Sequence, residues 1–110
     1  MTEYPQLHLL VGGTKRAGEG RDLSDVLDPA TGEPIAALPL ATAADLDEAL
    51  ANADTGFRTW RKAAPEQRAA VLTKAAALLR ERVDAIAAVL TREQGKPLAE
   101  AKGEVIYSAM

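Results

Sequence analysis

The sequence contains no cysteine, which excludes disulfide bridges, thiolate metal ligands and a cysteine nucleophile from these residues. Aromatic residues make up only 4% of the chain, although hydrophobic residues reach 47% because alanine is abundant. An alanine methyl contributes about a third of the roughly 1.5–3 kcal/mol gained by burying a leucine or phenylalanine side chain. The composition therefore predicts a weak core that packs against further protein.

Basic residues are not in excess, since 13 Lys and Arg stand against 16 Asp and Glu, a formal net charge of -3. A nucleic-acid partner would require a basic surface, so none is expected. No apolar run approaches the ~20 residues of a membrane span, and no apolar signal segment opens the chain. We therefore expect a soluble, cytoplasmic protein without a membrane partner, and 110 residues are enough for one modest domain.

The longest helical pattern runs from Pro65 to Gln94. Its apolar residues recur in steps of three and four, share one helix face and are named here the apolar stripe: Leu72, Ala75, Leu79, Val83, Ile86 and Leu90. Pro65 suits a first helical position, while Gly95 followed by Pro97 predicts the end of the helix. Asp84 is a good N-cap residue and marks a point where the run could divide into two helices.

Two β-hairpins are predicted ahead of this run, over Leu7–Arg16 and Leu23–Leu38. The glycine pair Gly12-Gly13 suits a tight hairpin turn, because two-residue turns need positive φ angles. Asp28–Gly32 reads DPATG and predicts the second turn, with an Asx side chain first, proline next and glycine last.

Further helices are predicted over Ala43–Trp60 and from Pro97 onward. Thr42 and Asp45 have the spacing of a capping box at the start of the first. Phe57 and Trp60 are interpreted as core anchors, and Gly56 as a point of close packing. The last helical pattern continues through Met110 with no stop signal, so we expect the sequence to be cut within an element.

Two features with the appearance of sites are interpreted as structural. His8 lies in the first strand without a nearby carboxylate or second ligand, so a surface or packing role is favoured. The stretch Gly13–Gly20 superficially resembles a phosphate-binding loop. It has Glu19 and Gly20 at the positions that need Lys and Ser or Thr, and a glutamate would repel phosphate.

Several features occur in a fixed order along the chain: two hairpins, the DPATG turn, a capped helix ending in Trp60 and the segment EQGKPLAEA at Glu93–Ala101. This ordered set resembles the N-terminal portion of the NAD(P)-dependent aldehyde dehydrogenase superfamily. The stretch Glu93–Tyr107 is most similar to succinate-semialdehyde dehydrogenases. The resemblance implies an α+β chain, with two N-terminal β-hairpins followed by amphipathic helices, that is a fragment of an α/β aldehyde dehydrogenase fold. Residues 1–110 would form the N-terminal part of the cofactor domain (hairpins over 7–38, helical segment over 43–110), truncated at 110.

In that family a cysteine attacks the aldehyde, a glutamate acts as base, and NAD or NADP sits on a Rossmann-type sheet. All of these residues would lie beyond Met110, so no catalytic and no cofactor-binding residue is expected in this chain. The resemblance also implies a monovalent cation site, made from backbone carbonyls near Val26 and Leu27 and the carboxylate of Glu93. Oxygen ligands suit such a hard cation. The family commonly has Asp at the position of Glu93, and the alternative interpretation of Glu93 is a solvated helix end.

A second departure from the family is Asp28, which stands where Asn usually precedes Pro29 and keeps the Asx turn. The activity implied is oxidation of a small semialdehyde, such as succinate semialdehyde, to the carboxylic acid with NAD or NADP. The full-length enzyme would be a homo-oligomer, and the partners of this segment would be the remainder of the same enzyme and the aldehyde. The fragment itself is expected to be inactive and to bind no cofactor. A stand-alone helical protein-interaction module and a structural domain without a site are the alternatives.

Overall fold

The computed structural model describes residues 3–110, which form two compact units. The hairpin unit contains Pro5–Val26 and Pro34–Ala63, and the helical unit contains residues 3–4, Leu27–Glu33 and Ala64–Met110. Two small antiparallel sheets and four helices follow one another along the chain, so the predicted fold class is confirmed.

The elements are numbered in chain order. The strands are β1 Leu9–Val11, β2 Thr14–Arg16, β3 Leu23–Leu27 and β4 Pro34–Pro39, and the helices are α1 Ala43–Trp60, α2 Pro65–Glu81, α3 Val83–Gln94 and α4 Leu98–Ser108. Within the described residues, none of these helices is both long enough and apolar enough to cross a membrane.

In the hairpin unit, β1 and β2 pair antiparallel, with Val11 opposite Thr14. The predicted turn residues between them, Gly12 and Gly13, have φ angles of 57° and 79°. A two-residue hairpin turn requires such angles, and glycine adopts them without a steric penalty. Strands β3 and β4 form the second two-stranded sheet. Val11 is buried, and β1 packs against α1.

Helix α1 begins with the predicted capping box. The Thr42 side chain accepts a hydrogen bond from the Asp45 backbone N–H at 3.1 Å, and the Asp45 carboxylate accepts one from the Thr42 N–H at 2.9 Å. The predicted bounds of the helix, Ala43–Trp60, are confirmed, but the roles expected for Phe57, Trp60 and Gly56 are wrong. Phe57 is 58% exposed and Trp60 41% exposed, so neither anchors a core. No described residue lies within 4 Å of a Cβ placed on Gly56, which therefore marks no close packing.

In the helical unit, the long pattern divides at Arg82, whose φ and ψ of −100° and 13° interrupt the helix. A break is predicted near Asp84, and the structure has it two residues earlier. Asp84 lies in the first turn of α3, where a negative charge interacts favourably with the helix dipole. Its carboxylate also forms a salt bridge with Lys102 Nζ at 2.7 Å. Pro65 occupies the first position of α2, as predicted.

Helix α4 packs against α3 and part of α2, and the buried residues of this packing are small: Ala87, Ala101, Val105 and Ala109. Small side chains let the helices approach closely but bury little apolar area each. The apolar stripe is consequently covered at one end only. Val83, Ile86 and Leu90 are partly buried, whereas Leu72 remains 65% exposed.

Candidate functional site

Glu93, the carboxylate expected to bind a cation, lies in the last turn of α3 and is partly buried. Its carboxylate accepts a hydrogen bond from the Tyr4 hydroxyl. The guanidinium of Arg92 lies over the ring of the same tyrosine, 5.3 Å from its centroid, a distance at which cation–π attraction operates. The end of α3 therefore holds the N-terminal segment through two neighbouring side chains, and Glu93 is not simply a solvated helix end.

The proton on Tyr4 is held tightly in this arrangement. Partial burial is the largest cause that raises the pKa of Tyr4 to about 12, followed by the hydrogen bond to Glu93 and its negative charge. Arg92 opposes the rise because its positive charge favours phenolate. At neutral pH the Tyr4 hydroxyl is therefore a donor to the Glu93 carboxylate.

The DPATG turn lies beside the end of the same helix. Asp28 Oδ1 accepts a hydrogen bond from the Ala30 N–H at 2.8 Å, which is the predicted Asx turn, and Gly32 closes it with a φ of 75°. Gly95 ends α3 with a φ of 71°, and a Cβ on it would lie 3.1 Å from Pro29 Cγ. Glycine is favoured at position 95 by its backbone conformation, and a larger residue would also crowd the turn.

Val26 and Leu27, the other two residues of the expected cation site, are consecutive in β3. Leu27 belongs to the helical unit with Glu93, whereas Val26 belongs to the hairpin unit. Residues 3–110 contain no cluster of three or more His, Cys, Asp or Glu side chains that could hold a metal ion. A site built from backbone carbonyls and one carboxylate would have no such cluster, so the cation site stays a prediction.

The strongest electrostatic feature of the hairpin unit is centred on Asp45, which is only 4% exposed. Its carboxylate binds Arg16 from β2 at 2.8 Å and Arg21 from the loop after β2 at 2.7 Å, while also completing the cap of α1. Arg16 also binds Glu48 at 2.7 Å. The network joins the first hairpin and its following loop to the start of α1.

These contacts shift the titration of the groups involved. The hydrogen bond from Arg21 is the largest cause that holds the pKa of Asp45 well below its usual range, followed by those from the Thr42 backbone and Arg16. Hydrogen bonds to Glu48 and then Asp45 raise the pKa of Arg16. The carboxylate therefore stays ionised and satisfied. Both oxygens of Asp45 are occupied, Oδ1 by the two arginines and Oδ2 by the Thr42 cap, so the role of the network is structural.

Sequence reasoning missed three distant partners of these carboxylates, namely Arg16 and Arg21 on Asp45 and Tyr4 on Glu93. The Asp45 cap was visible because its partner is three residues away, but Arg16 and Arg21 are 29 and 24 residues distant. Tyr4 is 89 residues from Glu93. The clue available for the arginines was the placement of basic residues beside a hairpin that is marginal by itself.

The sequence and the fold were both compared with those of known proteins. The sequence profile of the aldehyde dehydrogenase family matches residues 15–110. Malonate-semialdehyde dehydrogenase 2 of Bacillus mycoides (strain KBAB4) is 44% identical over 105 residues, which are 96% of this chain and 22% of that protein.

Two solved structures share the fold. Succinate-semialdehyde dehydrogenase from Burkholderia pseudomallei superposes with a TM-score of 0.87 at 38% identity, over 94% of this chain and 22% of that chain. An NADP-dependent enzyme of E. coli superposes with a TM-score of 0.88 at 34% identity, over 94% of this chain and 22% of that chain. The chain thus spans about a fifth of the length of these relatives. A profile match over most of the chain, together with this agreement in fold, shows that the chain belongs to the aldehyde dehydrogenase family.

Proposed function

We propose that the chain is the N-terminal segment of an enzyme that oxidises a small semialdehyde, such as succinate semialdehyde, to the carboxylic acid with NAD or NADP. The observation that carries this proposal is the family match over residues 15–110, with a malonate-semialdehyde dehydrogenase 44% identical across nearly all of the chain. The activity and the cofactor class are inferred from the names of the relatives. The proposed role of this segment is structural.

The role of the segment within that enzyme is to pack against the rest of it. Large apolar side chains are exposed in both units, including Leu46, Leu50 and Phe57 on α1 and Leu72 on α2. Proteins rarely leave so much apolar surface in contact with water unless another surface covers it. The remainder of the same enzyme is the proposed partner, and the complete enzyme is proposed to be a homo-oligomer.

The proposed substrate class follows from what the two named semialdehydes share. Malonate and succinate semialdehydes are short chains with an aldehyde at one end and a carboxylate at the other. A dehydrogenase adapted to them requires a cation or hydrogen-bond donors for that carboxylate, and a site that pairs a substrate's polar group discriminates strongly against analogues lacking it. The residues for this discrimination belong to the remainder of the enzyme.

The test uses the complete protein encoded by the reading frame that contains these residues. Its kcat/KM is measured with NAD and with NADP for succinate semialdehyde and for butanal, which has the same carbon chain without the carboxylate. We expect oxidation of the semialdehyde with a kcat/KM at least tenfold above that of butanal. Equal values would contradict the semialdehyde assignment alone. Failure to oxidise any aldehyde in a broad panel would contradict the enzymatic proposal.

A further inference from the structure

No further inference is drawn: the strongest candidate, the apolar groove between α2 and α4 lined by Leu72, Leu79 and Ala109, carries none because nothing in the structure shows what covers it.

Discussion

At the scale of single residues, Gly95 meets two constraints at once. Its φ of 71° is costly for other residues, and a Cβ there would lie 3.1 Å from Pro29 Cγ, so that Pro29 would have to shift slightly. We expect Gly95→Ala to destabilise the end of α3 by about 1–2 kcal/mol from the left-handed conformation alone, with the contact adding to it. The measurement is the urea concentration that halves the helical circular dichroism signal.

Gly103→Ala is the matched control in the same unit. Gly103 lies within α4, and a Cβ there would meet no atom of residues 3–110 within 4 Å other than its chain neighbours and the nearby backbone of its own helix. Alanine should stabilise a helix interior relative to glycine by about 1 kcal/mol, so this control should raise the urea midpoint. Two substitutions of identical chemistry would then have opposite effects. A Gly95→Ala chain at least as stable as its parent would contradict the geometry described for the end of α3.

Asp45 leads to a pH-dependent prediction. Because its pKa in the folded chain lies below the usual value of 3.8, its stabilising contribution is complete above about pH 3.8 and is lost as the pH falls further. Asp45→Asn should lower the urea midpoint at neutral pH and remove part of the loss of helical signal in acid. The reason is that Arg16 and Arg21 lose their shared negative partner.

The control for Asp45 is Asp54→Asn. Asp54 lies on the same helix, and its pair with Arg58 at 2.9 Å is exposed on both sides, at 59% and 73%. Exposed pairs of this kind contribute about 0–1 kcal/mol. The Asp54 variant should therefore keep both the neutral midpoint and the acid profile of the parent. If the two variants behaved alike, the Asp45 network would have no special role in the hairpin unit.

At the scale of elements, the start of α1 depends on Thr42. Removing its hydroxyl leaves the Asp45 backbone N–H without an acceptor, so Thr42→Ala should destabilise the helix by about 1 kcal/mol. Amide hydrogen exchange in the first turn of α1 should speed up accordingly. Thr55→Ala is the control, because the Thr55 hydroxyl donates to the Ala51 carbonyl inside the helix and caps nothing. Unchanged exchange after Thr42→Ala would contradict the capping role.

Sequence reasoning located elements well wherever local chemistry decides them. The start of α1 follows from the Thr42 cap, the first hairpin turn from Gly12 and Gly13, and the end of α3 from Gly95. In each case the stabilising contact lies within a few residues of the signal. Such contacts can be read from spacing, because they do not depend on what the rest of the chain does.

Details that depend on non-local packing could not be derived from the sequence. The helix divides at Arg82, which is neither a glycine, a proline nor a side-chain cap, in a unit where α4 packs on both sides of the break. Phe57 and Trp60 have the helical spacing of core residues, yet spacing cannot say whether a partner surface is present. The sequence motif identified Glu93 as a candidate cation ligand, but it did not indicate the hydrogen bond that Glu93 accepts from Tyr4.

At the scale of the whole molecule, the isolated chain is expected to have no aldehyde dehydrogenase activity. It contains no Cys to attack an aldehyde, and its glycine-rich stretch lacks the residues that would hold a phosphate. The purified 110-residue chain should therefore not reduce NAD or NADP in the presence of succinate semialdehyde. A complete succinate-semialdehyde dehydrogenase serves as the positive control. Turnover by the purified chain would overturn the proposal that the chain supplies only a scaffold.

The isolated chain is also expected to be loosely packed. Its buried residues are mainly small, while the leucines of α1 and Leu72 of α2 remain largely exposed. Small domains retain only about 5–15 kcal/mol of net stability, so one uncovered surface can remove most of it. Helices should persist, because their backbone hydrogen bonds are local, while tertiary packing fluctuates.

The most direct test combines three measurements on the purified chain in solution: thermal melting, binding of a hydrophobic dye and molecular mass. We predict helical circular dichroism, a broad and weakly cooperative melt, bound dye and concentration-dependent association. Addition of the remaining part of the enzyme as a separate polypeptide should abolish the dye signal. A monomer that melts in one sharp transition and binds no dye would contradict the account, since such a chain needs no partner surface.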